Sequence, residues 1–207
     1  MPIARARHTW VLVALFAAAA AWATGPYEAL HLPAGIEPTL HSAPVGAIQA
    51  GSLSIHLEKT PLARLQKAFG GVLQHGGDAG SAANWLCLLT APGGHGFVIW
   101  FISNAEMSGP AQEVTQIAVQ QVTPPAPAGC SSAPAGFTVE LHIPGLGSSR
   151  EAITAYFGRA RPGGDDLGYA SSSAVKGDKE ATRLQTIQYR LRDGAAVTVS
   201  VSQVTSR

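Results

Sequence analysis

Two rhythms of apolar and polar residues recur between Gly51 and Arg207. In "SLSIHL", Leu53, Ile55 and Leu57 alternate with polar partners, the period of a half-buried strand. Leu62, Leu65 and Phe69 then fall at i, i+3 and i+7, one face of a helix. Thr60 is placed to cap that helix with Pro61 at its first position, and Gly70-Gly71 stops it. "NWLCLLT", "GFVIWFIS" and "EVTQIAVQQV" follow as three strands, the first two joined by the hairpin-like "APGGH".

After a Pro-rich stretch the rhythm returns. "FTVELHI" alternates Phe137, Val139, Leu141 and Ile143. Ser148 and Glu151 form a capping box, Ile153 and Phe157 share a helix face, and Gly158 is the stop. "LGYASSS" is a possible strand. "LQTIQYRLR" and "AAVTVSVSQV" are strands joined by Asp193-Gly194, a strong hairpin signal.

Aligned on their Phe-Gly ends, Thr60 matches Ser148, Leu65 matches Ile153 and Phe69 matches Phe157. Self-similarity of this kind points to a tandem duplication of a unit of about 85 residues. Coincidence between two capped amphipathic helices is the alternative. The expected fold class is α+β, with two tandem helix-plus-antiparallel-sheet units. The first covers 51–122 and the second 136–207, with a Pro-rich linker at 123–135 and an extended arm at 24–50.

The first 23 residues read as a signal peptide. Arg5, Arg7 and His8 precede the apolar "WVLVALFAAAAAWA", which ends in the A-x-A site Ala21-Trp22-Ala23. An uncleaved anchor is the alternative, although the apolar run is shorter than the roughly 20 residues a spanning helix needs. No other run is long enough to span, so no stable membrane span is expected after cleavage. The expected location is periplasmic or secreted.

Cleavage leaves 12 basic against 13 acidic residues, a formal charge of −1. That balance excludes the basic footprint of a nucleic-acid binder. Charge is uneven, however: residues 24–149 are net acidic and 150–207 net basic. Cys87 and Cys130 are the only cysteines. In an exported chain an even pair reads as a disulfide, with two buried free thiols as the alternative. The bridge would close a loop of about 44 residues, worth about 4 kcal/mol on the chain-entropy treatment.

The phrase "LGSSREAITAYFG", Leu146 to Gly158, followed by an aromatic-led strand set, resembles the unit of the β-lactamase-inhibitor-protein-like (BLIP-like) fold. It is also similar to the small outer-membrane-assembly lipoprotein family named BamE. The resemblance covers about residues 51–205 and implies paired helix-plus-sheet repeats in an exported bacterial protein. Two departures stand out. The chain has no lipidation Cys, and "APGGHG" carries no Asp where β-lactamase inhibitors insert an acidic residue.

Candidate chemistry is sparse. No G-x-S-x-G elbow, H-E-x-x-H helix or P-loop is present. Asp165-Asp166, beside Gly163-Gly164, reads as a solvated turn rather than a catalytic pair. His31, His41 and His56 match no metal spacing, and His75 and His95 form no assignable dyad. No catalytic residue, metal ligand or cofactor is therefore assigned.

The sheet faces say more. In the last hairpin Ile187, Tyr189 and Leu191 alternate with Gln188, Arg190 and Arg192, so one face covers a helix and the other is polar and basic. Gln188, Arg190 and Arg192 are the candidate binding residues. "FVIWFIS" is apolar on both parities and requires cover on both faces, by internal packing or by a partner. The expected function is an exported, non-enzymatic binding protein of the bacterial envelope, whose partner is a protein or envelope component. An exported hydrolase with an unrecognised site is the alternative.

Overall fold

The computed structural model describes residues 38–77, 82–90, 96–104, 110–122, 127–160 and 165–207. The expected signal segment, the start of the arm with His31, the tip around His95, part of the linker and Gly163-Gly164 lie outside them. Eleven strands and two helices are formed by the described residues. In chain order they are β1 (Ile48–Ala50), β2 (Leu53–Ile55), α1 (Leu62–Phe69), β3 (Gln74–Gly76), β4 (Ala83–Leu89), β5 (Gly96–Asn104) and β6 (Gln116–Val122). Then come β7 (Ser131–Ser132), β8 (Val139–Glu140), α2 (Arg150–Phe157), β9 (Asp166–Val175), β10 (Asp178–Arg192) and β11 (Ala195–Ser206).

The expectation of two tandem α+β units is overturned: the protein is mostly β. Strands from both halves join one sheet in the order β3-β4-β5-β6-β11-β10-β9, with β7 alongside β4. The halves fuse where β6 pairs with β11, from Gln116↔Ser202 to Gln120↔Thr198. Two effects tip the balance toward sheet. Each helix is only eight residues long and covers little area. Meanwhile β10 runs from Asp178, through polar residues that carry no hydrophobic period, since Asp178 pairs with β9 and from Thr182 on the strand pairs with both β9 and β11. β1, β2 and β8 form a separate three-stranded sheet.

Local signals hold unevenly. Asp193 and Gly194 both take positive φ, 52° and 78°, and make the two-residue turn between β10 and β11. Both helices end on glycine, and the N–H groups of Gly70 and Gly158 donate to Gln66 and Thr154 carbonyls at 2.9 Å. Their starts differ from expectation. α1 is preceded by Pro61 without a side-chain cap, because Thr60 Oγ1 accepts instead from the His56 N–H. On α2 the cap is Ser149, one residue beyond Ser148, and it accepts from the Ala152 N–H at 3.2 Å. The strand expected over 137–143 shrinks to Val139–Glu140, since His142 adopts φ 57° and leaves the extended region.

The main core lies on one face of the large sheet. Leu86, Leu88, Ile99, Phe101, Ile117, Val199, Val201, Ile187 and Tyr189 point there, and α1, α2 and the small sheet cover them. Leu62 and Leu65 of α1 and Ile153 of α2 are fully buried. Removing one such leucine from water contributes about 2 kcal/mol. Gly71 lets the chain leave α1 against the sheet: its φ is 92°, and a Cβ would meet Leu86 Cδ1 at 2.9 Å. On the opposite face Trp85, Cys87, Val98, Trp100, Ile102 and Ala118 form a second buried cluster. Val98, Trp100 and Ile102 are buried as fully as their alternates Ile99 and Phe101.

Cys87 of β4 and Cys130 are joined in a disulfide, with Cα atoms 4.7 Å apart. The bond fixes the chain just before β7, which pairs parallel to Leu88 and Leu89 of β4. No described helix is long and apolar enough to cross a membrane.

Candidate functional site

Two cavities and one strand face gather the side chains able to contact a ligand or partner. The first cavity is an apolar cleft of about 420 Å³. Phe97 of β5, Val119 of β6 and Val199 of β11 make its floor. Val139, Leu141, Ile143 and Leu146 make its wall, with Glu140 and His142 beside them. Phe97, Val139, Ile143 and Leu146 are only partly buried, so apolar surface stays open to solvent there.

The wall is β8 with the irregular segment that follows it to α2, and hydrogen bonds hold that segment. The Tyr189 hydroxyl, from β10, donates to the Pro144 carbonyl at 2.9 Å. Tyr156 of α2 donates to the His142 carbonyl at 3.2 Å. Gly147 N–H donates to the Ala196 carbonyl, and Ala196 N–H returns a bond to Ser148. Burial pushes the Tyr189 hydroxyl far above the usual phenol range, with Tyr169 and Tyr156 adding to it, so it stays a donor at all physiological pH. Tyr156 itself is 56% exposed beside this wall, one of two large exposed apolar residues among those described.

The second cavity, about 690 Å³, sits where β2 and the turn into α1 meet the far ends of β10 and β11. Its polar lining is His56, Glu58, Lys59, Arg183, Gln203, Thr205 and Arg207. Glu58 is the organising residue. It takes φ 60°, uncommon for a non-glycine residue, and its N–H donates to the Val114 carbonyl at 2.8 Å. Its carboxylate accepts from Gln203 Nε2 and Thr205 Oγ1 at 2.8 Å each, and from the Thr205 N–H. Arg183 Nε lies 4.0 Å away. Arg207 pairs with Asp178 at 3.0 Å. The Asp178 carboxyl is held below the usual range, chiefly by the Glu180 N–H and then by Arg207.

Gln188, Arg190 and Arg192 stand in line along one face of β10, opposite the main core. Arg190 is exposed and lies 3.5 Å from Asp166, its register partner on β9. Arg192 is exposed at the hairpin end. Gln188 is half-buried, its Nε2 is buried without a hydrogen-bond partner, and its neighbours Thr186 and Ser200 are buried. Of the three, Arg190 and Arg192 are the solvent-open members.

The other candidates stay apart. Asp165 offers its carbonyl to the Leu191 N–H, and Asp166 faces Arg190. His75 Nδ1 meets Asn84 Oδ1 at 3.1 Å, and His56 Nδ1 meets the Gly46 carbonyl at 3.3 Å. Among the described residues no three His, Cys, Asp or Glu side chains converge as a metal site. Sequence reading missed both the Glu58 knot and the apolar wall. For the wall a signal existed: "HIPGLG" sets Ile143 and Leu146 among turn-forming residues, where apolar side chains lack a regular core position.

No protein-family model matches the chain, and no curated protein or solved structure is similar to it.

Proposed function

We propose that the chain is an exported, non-enzymatic binding protein of the bacterial envelope, periplasmic or secreted, that acts by contact with another protein. The observation that carries this reading is the apolar cleft. Its floor is rigid sheet, its wall is tied by four hydrogen bonds, and its partly exposed Phe97, Val139, Ile143 and Leu146 face solvent. A pre-formed apolar recess receives a partner side chain with little ordering cost. Tyr156, exposed beside it, is the residue type enriched at interface hot spots. The disulfide, together with the signal-like first 23 residues, supports export. Arg190 and Arg192 supply a second, polar contact surface at the end of the same large sheet.

The test is site-specific photo-crosslinking in envelope extract. A photo-reactive residue at Ile143 should capture one discrete protein, and the same probe at exposed Val72 should not. Leu146→Asp should abolish capture, whereas Arg190→Ala with Arg192→Ala should weaken it. Equal capture at both positions, or labelling of the chain by activity-based hydrolase probes, would count against the reading.

A further inference from the structure

The apolar cleft opens beside a strand edge. β8 pairs with β1 and with no other described strand, so it is one edge of the small sheet. The pairing tells which of its backbone groups are used. The Gly51 N–H donates to the Thr138 carbonyl at 2.9 Å, and Gln49 stands opposite Glu140 in register. In an antiparallel ladder, residues that exchange bonds with the neighbouring strand alternate with residues that turn both groups away. Thr138 and Glu140 therefore face β1, and the N–H and C=O of Val139 point to the open edge. Among the described residues neither group has a partner. The Val139 side chain packs on the main core at the cleft wall and stays partly exposed, whereas Thr138 and Glu140 are exposed. An unpaired strand edge and an open apolar recess thus meet at one residue.

We infer, on the reading of the cleft as a protein-binding site, that the partner enters as an extended strand added to β8, with one large apolar side chain in the cleft and a lysine or arginine next to it. A residue laid opposite Val139 exchanges two backbone hydrogen bonds with it. Paired residues carry their side chains on the same face of a sheet. That residue's side chain therefore lies on the Val139 face, toward the partly exposed Phe97, Ile143 and Leu146. Its two neighbours point to the other face, where one of them stands opposite Glu140. Glu140 is exposed there, and opposite charges across a strand pair attract. A helical partner would fill the cleft but leave Val139 unpaired, because its own backbone groups are used within the helix. With only two backbone bonds, the apolar side chain supplies most of the affinity, and the bonds fix register.

The whole exported protein, ¹⁵N-labelled, is titrated with the capped peptide Thr-Lys-Leu-Lys-Thr. Binding with a Kd of about 1 mM is expected, with shifts at Val139, Glu140, Ile143 and Leu146. Methylating the leucine nitrogen removes the N–H that meets Val139 and should weaken binding roughly three- to tenfold. Methylating the nitrogen of the following lysine, whose N–H points away from β8, should change it by less than about twofold. Aspartate in place of the leucine should abolish binding. On the protein side, Val139→Pro removes the outward N–H and keeps the bonds to β1, since proline is admitted at an edge where its missing donor faces outward. It should weaken the unmethylated peptide as much as methylation does, with the Gln49 and Glu140 amides unmoved. Glu140→Gln should weaken binding about twofold, and no change there would strike the basic residue from the partner. The methylated pair uses the wild-type chain, so the test holds whether or not Val139→Pro folds. The inference fails if the peptide does not bind below about 10 mM, if the two methylations act alike, or if a folded Val139→Pro binds like the wild type. Photo-crosslinking at Ile143 separates the two failures. Capture that persists in Val139→Pro removes the added strand and leaves the cleft reading standing, whereas absence of capture in the wild type removes the cleft reading itself.

Discussion

β4, β5 and β6 are buried on both faces, whereas β9, β10 and β11 in the same sheet keep their large buried apolar side chains on one face and mostly polar or small ones on the other. A single cross-strand row displays the contrast. On the face away from the main core, Cys87 pairs with Trp100, Trp100 with Ala118, Ala118 with Ser200, and Ser200 with Gln188. Side chains along that row change from disulfide and indole to hydroxyl and amide within five strands. The lesson is that a strand's two parities are set by what lies over each face and not by the strand itself. The first half of the sheet is interior on both sides. In the second half one face is core, and the other ends in the exposed Arg190 and Arg192.

The strongest way to break this comparison is within the row. Trp100→Ala removes a side chain that is 3% exposed and should cost about 3–5 kcal/mol in urea unfolding. Gln188→Leu should be neutral or stabilising, because it removes a buried amide nitrogen that has no partner. Similar losses at the two positions would mean that the faces are equivalent after all.

Next in size is the disulfide. Replacing Cys87 and Cys130 together by alanine should lower stability by about 2–4 kcal/mol. The loss should concentrate at the β4–β7 edge, so amides of Leu88, Leu89 and Ala133 should exchange faster than those of β10. Uniform acceleration across the sheet would show that the bond stabilises the whole fold without a local share.

Smaller again is the tie on the cleft wall. Tyr189→Phe removes the donor to the Pro144 carbonyl and should cost about 1–2 kcal/mol. It should also loosen residues 142–146, read as larger amplitude in NMR relaxation, while β4 and β5 stay unchanged. An unchanged wall would remove the preorganisation on which the cleft proposal relies.

How much of this was readable beforehand follows the same division. Where a feature depends on a few neighbouring residues, it was legible: both helices, their glycine stops, the Asp193-Gly194 turn and the cysteine pair. Features that depend on distant partners were not. Nothing in "DKEATR" marks a strand: Asp178 pairs with Val175 of β9 and β11 joins from Thr182, so the segment is extended by pairing and not by a hydrophobic period. The doubled helix phrase suggested doubled units, yet a capped helix codes only for itself. β6 and β11 meet across a chain separation that no local pattern records, and their pairing makes one sheet of the two halves. Gln188, Arg190 and Arg192 were placed correctly on one face by alternation, but which of them reaches solvent depends on cover that alternation does not report. Glu58 is the extreme case: its partners Gln203 and Thr205 lie at the other end of the chain.

The smallest effect separates the two helices, whose phrases look alike while only α2 has a side-chain cap. Ser149→Ala removes the acceptor for the Ala152 N–H and should cost about 1 kcal/mol. At α1, Thr60→Ala removes an acceptor for the His56 N–H outside the helix, so any loss there should leave the helix ends unaltered. Glu151 provides the independent reading. Its carboxyl is held below the ordinary 4.5 first by its own backbone N–H at the start of α2, then by Ser149, and more weakly by Arg150. A lowered folded-state value means that the stabilisation is present above the unfolded value and is lost as pH falls through the folded one. Loss of Ser149 should move the Glu151 carboxyl titration upward, toward 4.5, in a carbon-detected NMR series. The acid limb of α2 stability should flatten with it. If Ser149→Ala leaves that titration where it was, the backbone N–H alone sets it, and the cap contributes only its hydrogen bond to Ala152.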